Sequence, residues 1–381
     1  MRRSLWPTAL GLAVIVLGAG CASATHKVAA TAAPSSPPAL ETSLATADAT
    51  WAVVVMGGSA AEHDNFWQLF VRATGQPRWK LATPPGVADN GGLVLAGLGR
   101  SLVTGFLPSQ GLRFSPLATT SNDGRSWQAS RAFDAGLADV ADPLAAAPGT
   151  GRLLALSRAG TAELSATRGS GWAKLADTRT LAASQPGRRC RISLLTAVSF
   201  APSGTPLLGG TCQRPGTVGI FAATGRTWHA AGPALAPSLA GHAVAVLRLT
   251  SSGAANLALL ATATATVLVA RTRDGGAHWA LSPPLSLGGA HVRSAGFGAG
   301  GSAWLILSDG RAETLRGPGA VWRALAPLPP RTAVLAAGPA GEFDALASRG
   351  ATLTAWRLGP RATAWRPAQT INVPIQYGSS G

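Results

Sequence analysis

The sequence predicts an all-β fold built from a repeated four-stranded unit, and three observations predict it. Glycine (47 residues) and proline (27) punctuate the whole length. Between them stand apolar runs of strand size, such as TWAVVVM, SLVTGFL, AVAVLRL and AWLILS, bounded by turn residues. Tryptophan, finally, recurs at a near-constant interval. No helical period of useful length is present. A chain of 381 residues accommodates two average domains or one large repeating β domain, and the even spread of turn residues favours the second.

The repeat is clearest in two copies. Thr120, Asn122, Gly124, Ser126 and Trp127 are matched position by position by Thr272, Asp274, Gly276, His278 and Trp279. SATRGSGW keeps Ser165, Gly169 and Trp172, and FAATGRTW keeps Gly225, Thr227 and Trp228. Weaker relatives end at Trp79, Trp322 and Trp365. The seven tryptophans are spaced by 48, 45, 56, 51, 43 and 43 residues. Intervals of this size belong to propeller blades, four-stranded sheets that need neighbours on both faces to cover their apolar surface. The count predicts a seven-bladed β-propeller of four-stranded antiparallel blades over residues 43–375.

This pattern resembles the Asp-box, or BNR repeat, of sialidases, sortilin-type receptors, photosystem assembly factors and many bacterial secreted proteins. The resemblance implies that each box is the turn between the third and fourth strands of a blade. The residues suit that place. Asp274 or Asn122 can accept backbone N–H bonds inside a tight turn, and Gly276 or Gly124 can take positive φ. Trp279 and Trp127 then open the next strand and are expected to bury an indole between sheets. The repeated motif is therefore read as a folding device, and a metal or catalytic role for His278 is not expected.

Taken in order, the chain begins with a targeting segment. Arg2 and Arg3 form a positive n-region, Pro7 to Leu17 an apolar h-region, and LGAGC sets small residues before Cys21, the layout of a secretory signal. Residues 1–21 resemble a bacterial lipoprotein signal whose cysteine, Cys21, is lipidated, although Leu17 stands one place early and Gly18 fills the place where Leu is commonest. An ordinary cleaved signal or an uncleaved anchor are the alternatives. The h-region is short of the roughly 20 apolar residues of a comfortable membrane span, and Leu249 to Ala270, rich in Thr, Ser and Ala, reads as two strands. Residues 22–42, small, polar and Pro-rich, read as a flexible tether.

Within the repeats, RISLLTAVSFA, TPLLGGTC, VGIFAAT and WHAAG read as the strands of the fourth blade, and SAWLILS and AETLRG as strands of the sixth. TINVPIQY pairs with the N-terminal blade to close the ring or trails as an edge strand, and residues 376–381 form a tail. Cys190 precedes the first strand of the fourth blade and Cys212 closes the second, which puts them at the same end of an antiparallel hairpin. In an exported chain a disulfide between them is expected.

The formal charge of +16 is mostly arginine, and +14 remains without Arg2 and Arg3. Such an excess attracts anionic surfaces. Outside the cytoplasm these are acidic lipids, envelope polymers or acidic proteins, not nucleic acid; arginine bias of a GC-rich genome is the plain alternative. The face opposite the box turns collects Arg188, Arg189, Arg191, Arg214, Arg311, Arg331 and Arg349, with Glu62, His63, Asp64, Asp89, Asn90 and Asp309. Guanidinium groups converging there would hold carboxylate or phosphate bidentately.

The Asp-box resemblance also raises a sialidase-like hydrolase, which needs a Tyr nucleophile, a Glu and an arginine triad. The single tyrosine, Tyr377, stands near the C-terminus rather than on an inner strand. Glu is sparse (Glu41, Glu62, Glu163, Glu313, Glu342), with Glu163 and Glu313 read on third strands. No phosphate loop, GxSxG elbow, HExxH, CxxC or dinucleotide fingerprint occurs. The reading that follows is a monomeric, lipid-anchored binding or assembly protein outside the membrane, without catalytic residues, metal or cofactor, whose ligand is a protein or an anionic envelope polymer. A glycoside hydrolase is the alternative.

Overall fold

A computed structural model of the chain describes residues 41–58, 65–85, 91–107, 112–252, 254–298, 301–317, 319–338 and 341–374. Cys21, the tether up to residue 40, the EHD triplet 62–64, Asp89, Asn90 and Tyr377 lie outside the described residues.

The strands fall in chain order into antiparallel sets of four. The first set is β1 (Ser43–Ala45), β2 (Ala49–Gly57), β3 (Asn65–Ala73) and β4 (Lys80–Leu81). Next come β5 (Leu93–Leu98), β6 (Ser101–Phe106), β7 (Ser115–Thr120) and β8 (Gln128–Phe133), then β9 (Leu144–Ala146), β10 (Leu153–Leu156), β11 (Thr161–Leu164) and β12 (Ala173–Asp177). Two short helices, α1 (Thr178–Ala183) and α2 (Gln185–Cys190), lead into β13 (Ile192–Phe200), β14 (Pro206–Cys212), β15 (Gly219–Thr224) and β16 (Thr227–Ala230). After α3 (Pro237–Ala240) follow β17 (Val244–Ser252), β18 (Ala255–Thr262), β19 (Thr266–Thr272) and β20 (Ala280–Leu281), with β21 (Leu285–Ser286) added to β19. The last sets are β22 (Val292–Phe297), β23 (Ala303–Leu307), β24 (Ala312–Leu315) and β25 (Arg323–Ala324), then β26 (Thr332–Ala337), β27 (Phe343–Arg349), β28 (Thr352–Leu358) and β29 (Arg366–Asn372).

The first strands of the sets touch around a circle: β1 meets β5, β5 meets β9, β9 meets β13 and β13 meets β17, while β22 meets β26 and β26 meets β1. A hydrogen bond from Arg248 on β17 to the Ala295 carbonyl on β22 bridges the remaining step. The chain is thus a β-propeller. Apolar clusters fill the gaps between neighbours, for example Trp51, Leu69, Leu93 and Leu102 between the first two sets, and a single cluster runs through the sixth, seventh and first sets. Because inner strands are covered on both faces, they are apolar without alternation: every residue of β18 is buried, whereas the outer strand β8 is mostly exposed.

Two sequence expectations change, and one segment gains elements the strand pattern did not give. Leu249 to Ala270 covers parts of β17, β18 and β19, three strands rather than two, because the short segment between Thr262 and Thr266 also turns the chain. The segment before Cys190, given no element by the strand pattern, holds α1 and α2; Asp177 and Ser184 accept N–H bonds from Thr180 and Gly187 and cap them. Six of the seven repeat tryptophans are only half-buried, and Trp79 alone is fully covered. Cys190 and Cys212 form the disulfide, with Cα atoms 4.9 Å apart, beside the paired residues Ile192 and Cys212.

Ring closure uses side chains together with one main-chain bond, from the Gly57 N–H to the Gly350 carbonyl. β29 pairs with β28 inside its own set, so residues 370–372 form an edge strand and are not donated to the N-terminal set. Trp79 instead exchanges two hydrogen bonds with the Gln369 amide (2.8 and 3.0 Å) and donates its indole N–H to Asp344, 2.8 Å away. Asp344 is fully buried and also binds Arg357 at 2.7 Å and Arg72 at 3.4 Å. A buried carboxylate of this kind is tolerable only with such partners.

Candidate functional site

The box turns share one geometry. Thr120 Oγ1 donates to Asn122 Oδ1 and accepts the Gly124 N–H (both 3.1 Å), while Asn122 Oδ1 accepts the Ser126 N–H at 3.0 Å. Thr272 Oγ1 donates to Asp274 Oδ1 at 2.8 Å and accepts the Gly276 N–H at 3.1 Å, and Asp274 Oδ1 accepts the His278 N–H at 2.9 Å. These bonds hold the Asp274 carboxyl far below the usual carboxylate range, the His278 backbone N–H contributing most. His278 Nδ1 lies 2.7 Å from Asp274 Oδ2 on an exposed turn. Each turn joins a third strand to a fourth. The sets then interlock: Trp127 donates to the Ala82 carbonyl, Trp279 to Ala231, Trp322 to Pro283 and Trp365 to Ala326, at 2.7–3.2 Å. Trp172 departs from this rule. Its indole meets Phe133 edge-on with ring centroids 4.8 Å apart, and its buried N–H has no partner among the described residues.

The axis is closed by polar groups. Arg248, 4 % exposed, forms a bidentate pair with Asp142, both bonds 2.7 Å. Its other Nη donates to Thr42 Oγ1 (2.8 Å) and to the Ala295 carbonyl, and Asp142 also accepts the Leu249 N–H. One guanidinium therefore ties together β17, β22, the lead into β9 and the lead into β1. Thr42 and Ser43 add bonds to the Ala295 and Leu335 carbonyls. Arg248 and Asp142 are thus buried structural groups at the axis.

At the end of the axis away from the box turns lies a cleft of about 410 Å³. Glu41 forms part of its wall, and Arg293, Arg331 and Arg349 surround it. Each comes from a different element. Arg293 is the outward residue near the start of β22. Arg331 precedes β26 with φ of 63°, a left-handed backbone that costs a non-glycine residue about 1 kcal/mol or more. Arg349 ends β27, where Gly57 N–H bonds the Gly350 carbonyl at 3.0 Å and Ser348 Oγ bonds the Val55 carbonyl, clamping the two sets that form the wall. Arg293 donates to the Thr332 carbonyl. Arg331 and Arg349 have no carboxylate partner among the described residues. Burial raises the Glu41 carboxyl above its ordinary value, opposed by the Val55 N–H and by Arg293.

Of the arginines singled out from sequence in this role, Arg349 and Arg331 line the cleft. Arg188, Arg189 and Arg191 sit on α2 and its C-cap, where Arg188 folds back on the Ala183 carbonyl. Arg214 follows β14 on the same face. Arg311 is held by Asp309 at 2.7 Å and reaches the Leu287 carbonyl. Arg293 and Glu41 carried no signal beyond their charge, since an inner strand and a pre-strand segment look structural in sequence. A larger groove of about 740 Å³ lies at the box end between β8 and the β9–β10 hairpin. Its walls are chiefly Ser, Thr and Gly with Arg131 and Arg168, so the smaller cleft is the more polarised site. Among the described residues no cluster of His, Cys, Asp or Glu suits a metal ion, and no helix is long and apolar enough to cross a membrane.

No protein-family model matches the chain, and no curated protein matches it. Similarity is found among solved structures. A putative 6-phosphogluconolactonase from Bacteroides uniformis aligns with TM-score 0.52 at 11 % identity, covering 84 % of this chain and 96 % of that one. The periplasmic gluconolactonase PpgL of Pseudomonas aeruginosa aligns with TM-score 0.50 at 14 % identity over 84 % and 96 %. YCF48 bound to D1 peptide aligns with TM-score 0.43 at 13 % identity over 91 % and 96 %. At these identities the two lactonase likenesses speak for the propeller fold alone.

Proposed function

We propose that this chain is an exported seven-bladed β-propeller of the Asp-box kind, anchored outside the membrane through its N-terminal segment at a lipidated Cys21, that binds an anionic partner without chemistry of its own. The partner is a protein or an acidic ligand of the envelope. The observation that carries the reading is the cleft at Arg293, Arg331 and Arg349, three guanidinium groups from three elements at one mouth. Two of them, Arg331 and Arg349, have no carboxylate partner among the described residues. Planar guanidinium groups suit carboxylate and phosphate oxygens. The buried, hydrogen-bonded Arg248–Asp142 pair at the axis supports a rigid platform, and the net charge supports attraction at a distance. Seven box-type tryptophans and the successive four-stranded sets support the blade count.

The test is binding of polyglutamate, a model acidic chain, by the purified protein and by Arg293→Gln/Arg331→Gln/Arg349→Gln. Loss of affinity by tenfold or more in the variant is expected; equal affinity would remove the site. Labelling with a lipid precursor, compared between the parent and Cys21→Ser, tests the anchor.

A sialidase-like glycoside hydrolase is a second reading, favoured by one feature: a carboxyl with a raised pKa, Glu41, shares the cleft with the three arginines. Such hydrolysis needs a second group as nucleophile or base, and Glu41 is the one carboxyl lining the cleft among the described residues. Turnover of fluorogenic sialosides that disappears in Glu41→Gln would establish it over the binding reading.

A further inference from the structure

The chain enters the propeller at the arginine mouth. Glu41, the first described residue, lines the cleft, accepts the Val55 N–H and through its carbonyl holds Ser294 Oγ at 2.6 Å. The box turns and their arginines, Arg125, Arg226 and Arg273, lie at the other end, on the links between third and fourth strands. We propose that the arginine mouth docks on the bilayer that holds the N-terminus, its occupant being the phosphate headgroups of anionic phospholipid. This rests on the reading of the chain as membrane-anchored with an anion-binding cleft, and names the anion.

Length and charge carry it. The nineteen residues between Cys21 and Glu41, taken as the coil their composition implies, have a root-mean-square span of about 25 Å and at full extension reach about 65 Å. A face tethered by its own entry point at that distance meets the bilayer at an effective concentration of order millimolar, so weak contacts suffice to dock it. The same point of entry favours the orientation in which Arg293, Arg331 and Arg349 face the lipid, and their charge holds it there. Arg188, Arg189 and Arg214 border the same face, so the field reaching the bilayer extends past the cleft. A soluble acidic partner gains nothing from this placement, since it could approach any face.

The experiment uses the full chain carrying Cys21→Ser, so that no covalent lipid contributes. It is floated with vesicles of phosphatidylcholine alone and of phosphatidylcholine mixed with phosphatidylglycerol, at low and high salt. Binding to the anionic vesicles in excess of the neutral ones is expected, falling as salt rises. Each arginine at such a surface is worth roughly fivefold in affinity, so Arg293→Gln/Arg331→Gln/Arg349→Gln should lose the excess by roughly a hundredfold. Arg125→Gln/Arg226→Gln/Arg273→Gln removes the same charge from the opposite face and should bind within about twofold of the parent. All six side chains are exposed, and circular dichroism establishes that each variant is folded. Equal losses in the two variants, or no loss in either, overturn the docking. Polyglutamate binding measured in parallel separates the two levels. If the mouth variant loses polyglutamate but keeps the vesicles, the lipid inference falls and the anion-binding cleft stands; if it keeps both, both fall.

Discussion

The indole N–H of Trp127 donates to the carbonyl of Ala82, 45 residues earlier in the chain, at 3.0 Å. The Ala82 N–H is meanwhile bonded to the Leu69 carbonyl of its own set. One residue at the outer edge of a blade thus uses its donor within the blade and its acceptor between blades. Trp279 does the same with Ala231. Trp279→Phe keeps most of the apolar contact but strands this carbonyl, and should cost about 1–2 kcal/mol. Urea denaturation of the purified protein checks it; an unchanged midpoint would mean that the indole serves packing alone.

Gly276 has φ of 103°, and a Cβ there would stand 2.5 Å from the Ala231 carbonyl oxygen. Gly225, in the weaker copy of the turn, has φ of 61° and nothing within 4 Å. Gly276→Ala should therefore cost about 3 kcal/mol or more, against about 1 kcal/mol for Gly225→Ala, where only the left-handed backbone is penalised. Comparison of their melting temperatures decides it. Equal shifts would show that the turn does not need to touch its neighbour.

The buried pair Arg248–Asp142 should behave as a unit. Asp142→Ala leaves a buried guanidinium uncompensated and should destabilise by about 3–5 kcal/mol. Asp142→Ala/Arg248→Met should recover a large part of that loss, because the uncompensated charge is gone. A double-mutant cycle by chemical denaturation measures the coupling. Additive losses would mean that solvent reaches the axis.

Glu41 gives a stability effect with a defined sign. Its carboxyl titrates above the ordinary value in the folded chain, chiefly through burial. Between the unfolded and the folded pKa the native state binds the extra proton, so stability falls as pH rises through that window. The neutral form is favourable below the unfolded value near 4.5, and the benefit is gone above the folded one. Glu41→Gln mimics the protonated group. It should be more stable than the parent at pH 7 and converge with it in acid; parallel pH profiles would show that Glu41 is solvated.

Much of this protein is written locally. Thr120 to Trp127 and Thr272 to Trp279 state their turns within eight residues, because the threonine, the carboxyl or amide and the glycine all bond within four positions of one another. The tryptophan interval gives the repeat, and the Cys190–Cys212 pairing follows from a single hairpin. Short helices α1 and α2 escaped because six-residue segments have no period to read, and the half-exposure of the tryptophans escaped because it depends on the neighbouring edge. The arginine mouth was legible only as a face. Arg331 and Arg349 stand at strand ends that propeller topology sends there, whereas Glu41 and Arg293 join them through contacts spanning some 250 residues, such as Ser294 to Glu41. Likewise nothing near Arg248 foretells Asp142, 106 positions away. Sequence by itself determined the repeated unit, since hydrogen bonds and backbone conformation over a few residues are fixed by neighbours in the chain. Which charges meet was decided only when the ring closed, because Coulomb attraction and desolvation depend on distance in space, and the closing of the circle sets that distance.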